Sequence, residues 1–366
     1  YNFNRFEGLP ICEESVPVVY GFDLSKHANE KYIPIDIFGS IFFMLTRYEE
    51  VVCRERDKHG RFLAKDSLAY KENFLHRPIV NEYINILAQS LKELGIYVEP
   101  EKNKFRINMT HDIDHFFYKR FTNFFKNILL TKNSGPRSCW RSFKNLVSIK
   151  NPYNTFNWMM NEAEKFDIKS LFYIKTGPKS NRDARTYIND KDFVLILKNI
   201  IERGHTIGLH PSYCSYENFE YIKKEKEILE EISGCVVKET RQHYLRFDIP
   251  NTWRILDRLG VETDSSMGYA EHEGFRCGTA NEFPVFDVLN GVKLNIKERP
   301  LLVMEGTLRD YRKLSNNKAE EVFIYYKNIC KLFDMPYTVL FHNTSFVEPY
   351  WNGYRDIYFN VLKRPV

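Results

Sequence analysis

Apolar and polar positions along this chain follow two rhythms, and the change falls near residue 104. Before it, "IDIFGSIFFMLTRYEE" (35–50) and "RPIVNEYINILAQSLKELG" (77–95) carry apolar residues at helical spacing, the second opening after a proline and closing on Gly95. Polar, turn-rich "RERDKHGRF" lies between them. These segments predict a small α/β N-terminal domain over 1–103, with Asp36, Arg47, Glu49 and Glu82 on solvated helix faces. After residue 104, short apolar or β-branched runs alternate with amphipathic helices. The runs are "FRINMT" (105–110), "SLFYIKT" (170–176), "HTIGLH" (205–210), "KETRQHYL" (238–245), "VETDSS" (261–266), "PLLVME" (300–305) and "YTVLFH" (337–342). Helices are expected at 155–166, 191–203, 217–233, 250–259 and 318–333, several closed by a glycine. This alternation predicts a parallel sheet, and about seven repeats predict that it closes into a barrel over 104–366.

The residues with the richest chemistry fall at the C-terminal ends of the predicted strands: Asp112, Asp114, His210, Arg241, His243, Asp264 and His342. In (β/α) barrels that end builds the active site. In the stretch "THDIDH" (110–115), alternation puts Asn108, Thr110, Asp112 and Asp114 on one strand face, with Ile107 and Met109 on the other. Two carboxylates so close need a cation or a shared proton between them. A divalent metal on one Asp, with the other as base, satisfies that need. His210 adds an imidazole, a set that suits zinc or a similar borderline metal. His111 and His205 point to the opposite side. Arg241 is placed to orient a catalytic Asp, and His342 to act as general acid toward a leaving amine.

The order Asp-x-Asp, then His, then an Arg segment, then "DSSMGY", then a late His resembles the polysaccharide deacetylase (NodB-homology, carbohydrate esterase family 4-like) superfamily. "THDIDH…GLHPSY…RQHYLRF…DSSMGYAEHEGFRCGT" is also similar to a subgroup with an extra N-terminal domain, found in bacterial surface-polysaccharide gene sets; "DIFGSIFFMLTRYEE" and "RPIVNEY" look like that domain's motifs. The resemblance implies a distorted (β/α)7-type barrel and metal-dependent removal of an N-acyl group, such as acetyl, from a sugar. It implies Asp112 as base and Asp114 as metal ligand. The superfamily's His-x-x-x-His motif is broken here, because Cys214 stands where its second His would fall. His243 is the preferred third ligand beside Asp114 and His210, with His115 and Cys214 in reserve. Tyr213, Arg246, Asp264 and Tyr269, within the same motifs, are the expected substrate-binding residues.

Composition changes this picture little. With 366 residues, 43% hydrophobic and 28% charged, the chain is of ordinary globular make-up. Its 29 Phe, 23 Tyr and 4 Trp suit either dense packing or a carbohydrate-handling surface. Seven scattered cysteines without a CxxC pair fit a reducing compartment, hence a cytoplasmic location, at most peripheral to the inner face of the membrane. Charge is more informative. The net +5 is more than covered by one insertion, 116–154, which holds eight Lys/Arg and no Asp or Glu. Within it Phe121, Phe124, Phe125, Ile128 and Leu129 form a helical apolar stripe, which fits a helix packed on the barrel with a solvated basic face or, in 116–150, an element that meets a membrane surface or a substrate pyrophosphate. Charge confined to one insertion argues against nucleic acid. Two other readings stand beside the deacetylase: a catalytically silent carbohydrate-binding barrel, and a glycoside hydrolase using Asp112 with Asp114 or Glu305.

Overall fold

The computed structural model describes residues 16–21, 33–98, 104–118, 123–125, 128–129, 136–147, 151–186 and 188–363. These form a mixed α/β structure around one nine-stranded sheet. In chain order the strands are β1 (Arg106–Ile113), β2 (Leu171–Ile174), β3 (Thr206–Leu209), β4 (Glu239–Thr240), β5 (Thr263–Asp264), β6 (Phe283–Asp287), β7 (Val292–Glu298), β8 (Val303–Met304) and β9 (Pro336–Leu340). Their order across the sheet is β6-β7-β5-β4-β3-β2-β1-β9-β8. All pairings are parallel except the β6–β7 hairpin.

Each expected apolar run contributes a strand, and the expected helices lie at Phe156–Glu164, Lys191–Glu202, Phe219–Ser233, Asn251–Arg258 and Asn316–Leu332. Gly234 closes one of them in the left-handed region (φ 72°), its N–H donating to Glu230 O. Met109 and Ile113 of β1 pack outward with Met159, Met160, Phe172 and Tyr358 in the main core. The β6–β7 hairpin was not expected. It supplies β7, which pairs with β5, and the chain then runs on through 299–302 into β8, which pairs with β9. Along this stretch Arg299 N–H donates to Asp264 O and Leu301 N–H to Met267 O, while Leu302 N–H donates to Thr338 O on β9. One continuous segment therefore touches both flanks of the parallel run.

The N-terminal segment differs from its expected α/β character. Among the described residues, 33–98 are helical: Ile37–Thr46, Tyr48–Val52, Leu68–Lys71 and Ile79–Glu93, with one isolated bridge between Gly21 and Ile35. They surround their own core of Ile37, Met44, Phe62, Ile79 and Tyr83, joined by Tyr269 from the other part of the chain. Arg47, Glu49 and Glu82 are buried rather than solvated. The reason is pairing across the segments. Arg47 donates to Glu50 (2.8 Å) and Glu49 (2.5 Å), and Arg276 donates to both oxygens of Glu50 at 2.9 and 2.5 Å. Backbone bonds from Phe275 to Leu75 O and from Val80 to Gly278 O complete the join. Gly274 is required here, since a Cβ would lie 2.7 Å from Leu75 O.

Two stability predictions follow from buried charge. Glu50→Ala strands the guanidinium groups of Arg47 and Arg276, and urea melts should show a loss of about 3–5 kcal/mol; a loss typical of an exposed site would contradict the burial. His111 is fully buried, with Nδ1 donating to Phe341 O at 2.8 Å and Nε2 3.3 Å from the Tyr358 hydroxyl. Burial pushes its pKa down from 6.5 to about 3. The unfolded chain takes up this proton below about 6.5 and the folded chain does not, so stability is present above that pH. It should fall by about 1.4 kcal/mol per pH unit from this group as pH drops toward 3. His111→Phe should flatten that acid limb while lowering stability at neutral pH, because Phe341 O loses its donor.

Candidate metal centre

Four strand ends meet on one side of the sheet. Alternation along β1 turns Thr110 and Asp112 inward and leaves Asp114 just past the strand. His210 follows β3, its N–H donating to Ile174 O at 2.8 Å. Gly208, two residues earlier, is where the Tyr173 ring crosses β3; a Cβ there would sit 2.8 Å from that ring. The ring in turn carries the Arg241 guanidinium, 4.4 Å from its centroid.

Arg241 is completely buried, and each of its guanidinium nitrogens donates a hydrogen bond. Nη1 donates to Thr110 Oγ1 (2.7 Å) and Asp112 Oδ1 (3.1 Å), Nη2 to Ser265 Oγ (2.8 Å) and Nε to Ser265 O (2.8 Å). The expected strand at 238–245 stops at Thr240. Tyr244 and Leu245 then take left-handed φ of 63° and 53°, unusual for non-glycine residues. His243 opens this short turn, His243–Leu245, and faces the site.

Asp114, His210 and His243 each offer a ligand atom, all within 4.8 Å of one another. Asp114 Oδ1 lies 3.2 Å from His210 Nε2 and 3.3 Å from His243 Nε2. The remote nitrogens are committed elsewhere. His210 Nδ1 donates to Arg241 O at 2.6 Å, and His243 Nδ1 donates to Asp183 Oδ1 at 2.8 Å. In their neutral forms both rings therefore turn an Nε2 lone pair toward a carboxylate oxygen that is buried and lacks a hydrogen-bond partner. Three acceptors facing one another are repulsive unless a cation, a proton or a metal ion, lies among them. A divalent ion fits this donor set of two imidazoles and one carboxylate.

The electrostatics agree with that need for a cation. Burial works to raise the Asp114 carboxyl, but the imidazoles of His243, His210 and His342 outweigh it and hold it well below the usual carboxylate range. Burial works against charge on His243, yet Asp114 and Asp183 raise its pKa overall. Asp183 is lowered to about 2, with burial opposed by His243, Ser180 and Lys175. On the other side of Asp114, His342 Nε2 lies 3.6 Å from Oδ2. Its Nδ1 donates to Glu305 Oε1 at 2.8 Å, and against burial Glu305, Asp114 and Asp112 push its pKa up to about 10. Asp112 Oδ2 stands 3.8 Å from His210 Nε2.

The centre opens into two adjoining cavities of about 250 and 520 Å³ that share Asp114, Tyr244, Gly306, Asp310 and His342. Tyr118, Tyr153, Tyr350 and Trp351 line the larger one, and Arg61 and Tyr311 the smaller.

The structure brings together Asp112, Asp114, His210, Arg241, His243 and His342. The other expected residues are placed differently. His115 lines the larger cavity but lies outside the cluster of ligand atoms, and Cys214 is an exposed free thiol. Asp264 is fully buried, accepting from Thr240 Oγ1, Ser266 N and Ser266 Oγ, so substrate does not reach it. Tyr269 is buried against Arg47 and Arg276 at the join with the N-terminal helices. Arg246 lies between the rings of Tyr213 and Tyr216 and donates to His59 O at 2.6 Å, while Tyr213 OH meets His59 Nδ1 at 3.0 Å. These two residues thus tie the 57–62 loop down rather than face the cavities. Residues missed from sequence are Asp183, in an aperiodic polar stretch with no signal, and Glu305 as the partner of His342, visible only as an acid at a strand tip.

Against known proteins, a family described as of unknown function, DUF7033, matches residues 2–96. No curated protein matches the sequence. Among solved structures, the chain is similar at 13% identity and TM-score 0.45 to a protein from Mycobacterium smegmatis described as a polysaccharide deacetylase, covering 72% of this chain and 86% of that one. It is similar at 13% identity and TM-score 0.44 to the allantoinase Puue, over 72% and 85% of the two chains. A pseudoenzyme of the CE4 family from Bacillus anthracis shows 10% identity and TM-score 0.32, over 68% and 57%.

Asp183 also accepts from Tyr213 N–H (3.1 Å) and Ser180 Oγ (2.6 Å), so it holds the ring of His243 from a fixed position. Asp183→Asn should weaken metal affinity by about 10–100-fold with the fold intact, measured by competition with a chelator. Affinity equal to the parent protein would remove Asp183 from the site.

Proposed function

We propose that this chain is a metal-dependent hydrolase that removes an N-acyl group, acetyl in the simplest form, from a sugar of a bacterial surface polysaccharide. In this reading residues 104–366 form a distorted (β/α)7-type barrel, 1–103 form a separate N-terminal domain, and the protein works in the cytoplasm with zinc as its metal. The observation that carries the proposal is the buried Asp114 oxygen without a hydrogen-bond partner, faced by two histidine Nε2 atoms, with Asp112 and His342 on either side.

Asp114, His210 and His243 would hold the metal. When bound, the ion supplies Lewis acidity, lowering the pKa of water and polarising an acyl oxygen. Asp112 receives the proton of the attacking water, and Arg241 keeps its carboxylate aimed through the 3.1 Å bond. His342 gives a proton to the departing amine, with Glu305 fixing the tautomer and stabilising the charged ring. Aromatic side chains of the larger cavity offer faces for a sugar ring.

Protein purified without chelator should carry one zinc per chain and release acetate from N-acetylated sugars. Asp114→Ala and His210→Ala should lose the metal. Asp112→Asn should keep it while kcat drops by about 10²–10⁴-fold. Metal-free protein whose glycan binding survives all three substitutions would instead support the silent carbohydrate-binding reading.

A further inference from the structure

Residues Pro136–Val147 form a helix whose apolar stripe points away from the protein. Trp140, Phe143 and Val147, at i, i+3 and i+7, are 66%, 46% and 57% exposed, and the rings of Trp140 and Phe143 stack at 6.0 Å. The helix is held by its other side. Ser142 is buried, Asn145 donates to Glu348 O at 2.7 Å, and Arg141 pairs with Glu348 at 2.8 Å. Arg137 and Lys144 are exposed beside the stripe. Nearby in sequence, Phe125 and Leu129 are 68% and 74% exposed. A soluble surface normally turns such a stripe inward, so its orientation here calls for a partner.

The charge pattern selects the partner. No Asp or Glu occurs anywhere in 116–154, against eight Lys/Arg. Exposed aromatic side chains flanked by long cationic ones match the boundary of an anionic bilayer, where the rings enter the headgroup region and the cations meet lipid phosphates. Among the described residues no helix is long and apolar enough to cross a membrane. We propose that the face carrying Trp140, Phe143 and Val147 docks on an anionic lipid surface. The site lies beside the cleft: Val347, next to the anchor Glu348, lines the 520 Å³ cavity. Docking thus brings the cleft close to substrates borne on the membrane. The proposal stands apart from the catalytic reading, because docking needs neither metal nor turnover.

The test is co-sedimentation of the whole chain with phosphatidylcholine vesicles, alone or containing about one-third phosphatidylglycerol. The expected result is binding to the anionic vesicles only, weakened by salt and at least about tenfold weaker for Trp140→Ser/Phe143→Ser. Both side chains are exposed, so the variant should keep the parent melting temperature. Unchanged binding by this variant, equal binding to neutral vesicles, or no vesicle binding at all would each overturn the proposal. So would tight binding to a soluble anionic polysaccharide that the double substitution leaves intact.

Discussion

One buried cation organises the site. The side chain of Arg241 binds Thr110, Asp112 and Ser265, spanning β1 and the end of β5. Its own carbonyl oxygen accepts from His210 Nδ1, which leaves Nε2 of that ring facing Asp114. A single residue thus sets the direction of one carboxylate and the tautomer of one imidazole. Such a charge is tolerable in a dry interior only when its donors are satisfied, and here Tyr173 adds a ring face beneath it. Gly208 belongs to the same arrangement, because the ring needs the space a side chain would fill.

Much of this was legible in the chain. The period-two stretch at 105–112 reported which face Asp112 takes, and glycine stops marked helix ends within a residue or two. Legibility failed where long-range contacts decide conformation. β7 alternates polar residues, Lys293, Asn295 and Lys297, with apolar ones, and its pairing with β5 is a long-range contact. β4 was drawn too long because "KETRQHYL" looks extended, whereas a left-handed turn interrupts it. His243 was expected on the same strand face as Arg241, and it lies beside Asp114 although the strand ends at Thr240.

Charges were the other source of error. Arg47, Glu49 and Glu82 lie on amphipathic helices, where a charged position ordinarily faces water. Their burial depends on Arg276 and Arg77, one far away in sequence and the other just before its helix. Asp264 and Tyr269 fail in the same way, since a polar residue at a strand end is recognisable from sequence but its saturation by neighbours is not. Fold class was therefore easier to read than the separation of working polar groups from structural ones.

The two histidines of the centre come from different strands, not from one loop in which a single turn could present both. The unfolded chain therefore holds no ready chelating pair, and ion capture has to follow assembly of the sheet. A cation bound there would also act as a tie between the tips of β1, β3 and β4. Because it has affinity for the folded form alone, loading would raise resistance to unfolding as its free concentration rises. An ion at this centre would therefore be gained late, and only by chains that have already found the right topology.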